Sequence, residues 1–236
     1  MQAAFTVEPA GDQGVMVQLG DRISAESHAR VMECLAALDR GRPALVRDVV
    51  PGYASVLVVH DAAIGAAVAI EAWVRGALGD FPAVAAAGRL VRVPVWYGDA
   101  VGWDLADLAR ERGVPPGEIA ALHVAPEYRV HLLGFRPGFP YLAGLDPRLA
   151  ASRLPTPRAQ VPAGSVGIGG AQTGIYPVRS PGGWRIIGRT PLRLFDPARA
   201  EPFLLAVGDR VRFEPIDQAR FRELGGQIGD AGGRAG

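Results

Sequence analysis

The chain has 236 residues, 49 % of them hydrophobic and 21 % charged, with a formal net charge of +1. That length holds one large domain or two small ones with ample core, and so even a charge balance offers nothing to nucleic acid or to an anionic membrane. All 25 basic residues are arginine, which excludes a phosphate-loop lysine, a Schiff base and a lysine general base.

Ala3 to Glu8 and Val15 to Leu19 alternate as strands around the turn Pro9-Ala10-Gly11-Asp12. Ser24 caps a helix whose apolar positions Val31, Leu35 and Leu38 share one stripe, ending before Gly41 and Pro43. Its Cys34 is the only cysteine, so an intrachain disulfide and a cysteine metal cluster are both excluded. Val46 to Val50 and Ser55 to His60 form a second strand pair through Pro51-Gly52-Tyr53. Asp61 is read as the cap of a second helix carrying Ile70, Trp73, Val74 and Leu78, stopping at Gly79-Asp80-Phe81-Pro82. The order ββαββα predicts an α+β N-terminal domain over residues 1–84, an open sheet with both helices on one face. No charged-then-apolar leader opens the chain, and the Ala-rich run from Ala62 is broken by Glu71 and Arg75; the expected location is cytoplasmic.

Residues 83–88 read as a linker. Arg89 to Tyr97 begins a second, mostly-β domain over residues 89–218 with an alternating strand. Asp104 caps a short helix through Arg112, and Pro115-Pro116-Gly117-Glu118 opens another that ends near His123. From Val124 onward glycine and proline alternate through short β-branched runs, a pattern that makes tightly turned strands and cannot make long helices. Late strand material is expected at Phe203 to Phe213, and residues 225–236 read as a flexible tail without an apolar anchor.

The stretch from His131 to Asp196 holds the candidate chemistry. His131 precedes a constrained turn, where it would serve as acid, base or hydrogen-bond donor, or else simply hold a loop carbonyl. Arg136 and Arg158 sit on proline-stiffened loops, and a guanidinium fork there suits a carboxylate or phosphate, though most loop arginines stay solvated. Ala163-Gly164-Ser165-Val166-Gly167 misses the nucleophile elbow because its first glycine is displaced and no helix follows. Gly167-Ile168-Gly169 lacks the third glycine of a dinucleotide loop, which would fall at Gln172. What survives is a strand and turn lining a pocket, with Gln172 and Thr173 as polar groups. Tyr176 and Trp184 either wall that pocket, anchor an interface or plug the barrel end. Phe135 and Phe139 bracket a short Pro-Gly turn, so at least one is expected to be exposed as a docking patch. Between His131 and Phe195 the only carboxylate is Asp146, and the four histidines show no metal-ligand spacing. A self-sufficient hydrolase is hard to assemble from this set.

The run Gly134-Phe135-Arg136-Pro137-Gly138-Phe139-Pro140-Tyr141-Leu142 resembles a signature of the allophanate hydrolase subunit 1 family. Val161 to Ile168 and Ser180-Pro181-Gly182-Gly183-Trp184 are similar to two others, and Gly11-Asp12-Gln13 and Val50-Pro51-Gly52-Tyr53 also match. The family includes the B-type subunit of bacterial ATP-dependent 5-oxoprolinase and Kip-type kinase inhibitors. The resemblance implies a cyclophilin-like β-barrel for the second domain. It implies one component, inactive alone, of an enzyme that opens 5-oxo-L-proline to L-glutamate as ATP is hydrolysed. ATP with Mg, shared with a partner, is the implied cofactor; no metal cluster or flavin is expected. The implied partners are a homologous C-type component and a separate A-type component of the 5-oxoprolinase. In that scheme His131 and Gln172 orient the lactam, Arg136 and Arg158 hold its carboxylate or the phosphates, and Tyr176 forms a wall. Phe135, Phe139 and Trp184 are the docking candidates. Two alternatives accompany the resemblance: inhibition of a sensor histidine kinase, and a part in a urea carboxylase and allophanate hydrolase system.

Overall fold

Alternating apolar residues build four strands in the first of two units, 1–87 and 88–236, into which the chain divides. The structure is a computed structural model and describes residues 5–63, 65–79 and 88–228. Strands β1 (Thr6–Pro9) and β2 (Gly14–Gln18) precede helix α1 (Ala25–Asp39); β3 (Val46–Pro51) and β4 (Ser55–His60) precede α2 (Ala66–Ala77). The sheet is antiparallel in the order β1-β2-β4-β3. Val15, Val17, Val56 and Val58 share a core with Val31 and Leu38 of α1 and Ile70 and Val74 of α2, so both helices cover one face of the sheet. Helix α1 starts where Ser24 Oγ accepts from the Ser27 amide at 3.0 Å. Helix α2 starts later than expected. Its N-terminal boundary is Gly65 at φ 78°, while the Asp61 carboxylate is taken by Arg47 and does not cap the helix. Helix α2 ends at Ala77 with Leu78 as its C-cap, just before the expected stop at Gly79; residues 80–82 of that stop and residues 83–87 of the linker lie outside the described residues, as does the tail from residue 229.

The second unit is a barrel. Its elements are β5 (Leu90–Trp96), α3 (Leu105–Arg112), α4 (Pro116–Val124), β6 (Tyr128–Leu133), β7 (Pro140–Ala143), β8 (Arg158–Val161), β9 (Ser165–Gly169), β10 (Gln172–Ile175), β11 (Ser180–Gly182), β12 (Arg185–Arg189), β13 (Arg210–Ile216) and α5 (Gln218–Glu223). Seven strands close in the order β10-β7-β6-β13-β5-β12-β9, and β10 returns to β9. Only β13 and β5 run parallel; every other barrel pair is antiparallel. Strands β8 and β11 form a separate ribbon. This closed barrel stands where the family resemblance implies a cyclophilin-like one. The late strand begins at Arg210, and Phe203 makes only an isolated bridge to Phe195. Helix α5, unexpected from the sequence, is capped by Asp217 and buries Phe221 at 5.5 Å from the Trp96 ring.

Val93, Val95, Val130, Leu142, Val166, Ile168, Ile187 and Phe213 form the barrel core, joined by Leu108 of α3 and Ile119 of α4. Each such side chain contributes roughly 1.5–3 kcal/mol on burial. One polar chain runs through this core. His123 Nε2 lies 2.9 Å from Thr173 Oγ1, and its Nδ1 lies 2.7 Å from the Tyr97 hydroxyl. Thr173 Oγ1 donates to the Gly167 carbonyl at 2.9 Å, so it must accept from His123 Nε2–H. Tyr97 then donates to Nδ1, and the neutral imidazole is fully satisfied.

Burial pushes the His123 pKa down from 6.5 to about 3. Between those values the unfolded chain binds a proton that the folded chain does not, so stability falls as pH drops below about 6.5. Urea unfolding at pH 7 and pH 5 should show His123→Gln losing less stability than wild type, by up to about 1.4 kcal/mol per pH unit. Identical slopes would remove His123 from the acid response.

Candidate functional site

The β6–β7 connection is a tight loop because the Arg136 amide bonds the Gly134 carbonyl at 2.7 Å and the Phe139 amide bonds the Arg136 carbonyl at 2.9 Å. Within it Phe135 adopts φ 62°, the one non-glycine residue at positive φ among the described residues. A bulky side chain there costs on the order of 1–3 kcal/mol and persists only where surrounding contacts hold it. Here they are edge-to-face contacts with Phe139 at 5.6 Å and Tyr176 at 6.3 Å, with the Arg136 guanidinium 5.7 Å from the Phe135 ring centre. The ring is nonetheless 55 % exposed.

Beneath it lies a second apolar cluster, separate from the barrel core: Phe139, Val161, Tyr176, Trp184 and Ile186, with Trp103 and Tyr141 packed against it. Phe139 meets Tyr176 at 5.2 Å and Trp184 at 5.4 Å, both nearly perpendicular. These rings fit because the facing backbone has no side chains. A β-carbon on Gly169 would lie 2.5 Å from the Trp184 indole, and one on Gly182 would run into the Tyr176 phenol. Burial pushes the Tyr176 hydroxyl up to about 12, against an opposing pull from a backbone hydrogen bond at Trp184. Phe139, Tyr176 and Trp184 are therefore interior, and of the three docking candidates only Phe135 offers a ring to solvent. Trp184 packs on the outer wall of the barrel against Gly169 of β9, and does not plug the barrel end.

Arg158 begins β8 and points inward. Its Nη1 and Nη2 donate to the two carboxylate oxygens of Asp104 at 2.9 and 2.7 Å, with both side chains under a tenth exposed. Asp104 Oδ2 also accepts from the Ile186 amide at 2.6 Å, and the guanidinium lies 5.4 Å from the Trp103 ring. The fork offered to a substrate anion is filled by the protein's own carboxylate. Asp104 thus ties the start of α3 to β8 and β12, and makes no side-chain cap. A carboxylate before a helix reads as a cap, and its real partner is 54 residues away.

His131 sits at the bulge where β6 shifts register against β7, and it is 2 % exposed. Gln172 opens β10 and is half-buried. The two residues lie on the strands that flank β7. Arg136 is exposed on the loop, and Arg153 exerts its charge on both Tyr141 and Tyr176. What the surface presents is an aromatic ring with the Arg136 guanidinium beside it, above a closed aromatic floor. That combination suits a flat, partly anionic group or an apolar partner surface.

The glycine-rich strand β9 does not fit a nucleotide cradle. Strand β9 is buried throughout, and the Gly169 gap is filled by an indole. No group of three or more His, Cys, Asp or Glu that could hold a metal occurs among the described residues. No described helix is long and apolar enough to cross a membrane.

Comparison with known proteins places this site in a family context. The family model described as carboxyltransferase domain, subdomain C and D, matches residues 5–205. The B-type subunit of 5-oxoprolinase from Bacillus subtilis (strain 168) is 35 % identical over 232 residues, covering 94 % of this chain and 97 % of the relative. That of Escherichia coli O157:H7 is 41 % identical over 209 residues, covering 87 % and 93 %. Among solved structures, TTHA0988 is 39 % identical with a TM-score of 0.78 over 87 % of this chain; the match spans only 40 % of that longer chain.

Removing one member of a buried ion pair strands the other. Arg158→Ala and Asp104→Asn should each cost about 3–5 kcal/mol in chemical denaturation. A cost near zero for Arg158→Ala would mean that the arginine is held for binding and not for the fold.

Proposed function

The chain belongs to the carboxyltransferase-domain family of subdomains C and D, and from that membership we propose that it acts as the B-type subunit of an ATP-dependent 5-oxoprolinase. The observation that carries this reading is the alignment along nearly the full length of the Bacillus subtilis relative. The reaction opens the lactam C–N bond of 5-oxo-L-proline to give L-glutamate. A five-membered lactam is a stable amide, so the energy of ATP is needed. Transfer of a phosphoryl group from ATP to the carbonyl oxygen would activate the ring carbon: water adds there, the protonated ring nitrogen leaves as the C–N bond breaks, and the resulting acyl phosphate is hydrolysed to the glutamate carboxylate and phosphate.

The chemistry of the chain argues for a shared site. His123 is held neutral in the barrel core, and Asp146 is tied to Arg148, whose hydrogen bonds bring the carboxyl down to about 2. The buried carboxylate at Asp104 is committed to Arg158. Acid–base groups and ATP with its Mg therefore come from the A-type and C-type partners in this reading. Phe135 and Arg136 meet a partner and Gln172 orients the lactam, while Tyr176, interior to the aromatic cluster, supports Phe135 from below and does not wall the substrate. His131 and Arg158, both buried, act as positioning residues.

Purified alone, the chain should release no glutamate from 5-oxo-L-proline and ATP; co-purified with its A-type and C-type partners it should. Phe135→Ala should weaken assembly roughly tenfold or more, as loss of an aromatic anchor does, while leaving the circular dichroism spectrum unchanged. Turnover by the isolated chain would overturn the shared site, and recovery of a sensor histidine kinase in place of the oxoprolinase partners would overturn the reading itself. Unchanged assembly of the variant would remove Phe135 from the interface.

A further inference from the structure

A groove of about 960 Å³ opens on the second unit, and its lining includes Arg179, Arg189, Thr190, Arg193, Phe221 and Gln227. None of the described residues lining it is acidic. Arg189, the last residue of β12, is only 3 % exposed. Its Nη1 donates to the Gln227 carbonyl at 3.1 Å, while Nε and Nη2 are buried without a hydrogen-bond partner. Among the described residues it makes no ion pair. Its cationic neighbours are otherwise engaged: Arg179 donates to Gln160 at 2.8 Å, and Arg193 pairs with Asp196 at 3.1 Å.

This arrangement is the reverse of Arg158. A guanidinium stays protonated at any ordinary pH, and a buried charge is costly unless it is paired. Burial and the charge of Arg179 both push the Arg189 pKa down, as an uncompensated cation requires. The two unsatisfied atoms are adjacent on one edge of the guanidinium. That edge is the one that two oxygens of a single carboxylate or phosphate fill with parallel hydrogen bonds. Thr190 stands beside it; its Oγ1 accepts from the Leu192 amide at 3.2 Å, which leaves the hydroxyl proton to donate.

We propose that the groove is a binding site for a small oxyanion, a carboxylate or a phosphoryl group, seated on the Nε/Nη2 edge of Arg189 with Arg179 at its rim. This does not rest on the oxoprolinase reading, because the site lies within one unit and its occupancy is measured without partners or turnover.

The test uses the full chain in chloride buffer, titrated with inorganic phosphate or with acetate at constant ionic strength, and reads heat of binding and melting temperature. At least one anion should bind saturably with one site per chain and raise the melting temperature. Response to phosphate alone assigns a phosphoryl ligand, response to acetate alone a carboxylate, and response to both the shared oxyanion chemistry. Arg189→Met should melt no lower than wild type in chloride, since it removes an unpaired buried charge, and should bind the anion tenfold more weakly or worse. Arg179→Gln, at the rim, should weaken binding severalfold and carries the test should the first variant fail to fold. No saturable binding of either anion, or equal binding by wild type and the variants, would overturn the proposal.

Discussion

Two aromatic rings occupy volume that only glycine leaves free, and the outer wall of the barrel is arranged around that exclusion. Trp184 lies against Gly169 of β9, and Tyr176 lies against Gly182 of β11. Because β9 turns Val166 and Ile168 inward, its outward positions are Gly167 and Gly169, and the ring cluster is pressed onto bare backbone. Protein interiors are close-packed, so a single methyl in such a place has nowhere to go. Phe139 completes the cluster, and Phe135 is held in a left-handed conformation above it. Strain in the loop and density in the floor are two sides of one arrangement.

Charge is handled in two opposite ways on the same barrel. Arg158 and Asp104 are both buried and satisfy each other bidentately, with the Ile186 amide as a third partner. Such a pair contributes registry between β8, β12 and the start of α3 more than net stability, because desolvation offsets most of the Coulomb gain. Arg189 is buried too and has no such counterpart among the described residues. Two buried arginines therefore take different meanings: the first is a staple, the second a socket.

The acid–base poverty of the chain has a physical form. His123 is bonded on both ring nitrogens within the core, and a residue so held cannot move a proton without breaking the barrel's own network. Asp146, the one carboxylate in the signature stretch, is occupied by Arg148. In the proposed reading, a chain whose His123 and Asp146 are held in this way lends surface and shape to a reaction and takes its chemistry from its partners.

Periodicity and turn chemistry made most of the architecture legible. The ββαββα order, the Ser24 cap, the two short helices after Trp96 and the turned strands beyond Val124 are all local patterns, and local patterns survive folding. The exposure of one of Phe135 and Phe139 followed from the shortness of their turn. The Asp61 cap failed because a carboxylate fits a cap or a salt bridge equally well until the position of Arg47 is known. Asp104 misled for the same reason, across a far larger separation. Sequence alone determined the element order of the first unit, the absence of lysine chemistry and the glycine–proline character of the barrel, since these depend on neighbours in the chain. Only tertiary structure decided which arginine is neutralised and which is left wanting an anion, because that depends on which groups barrel closure brings within hydrogen-bond distance.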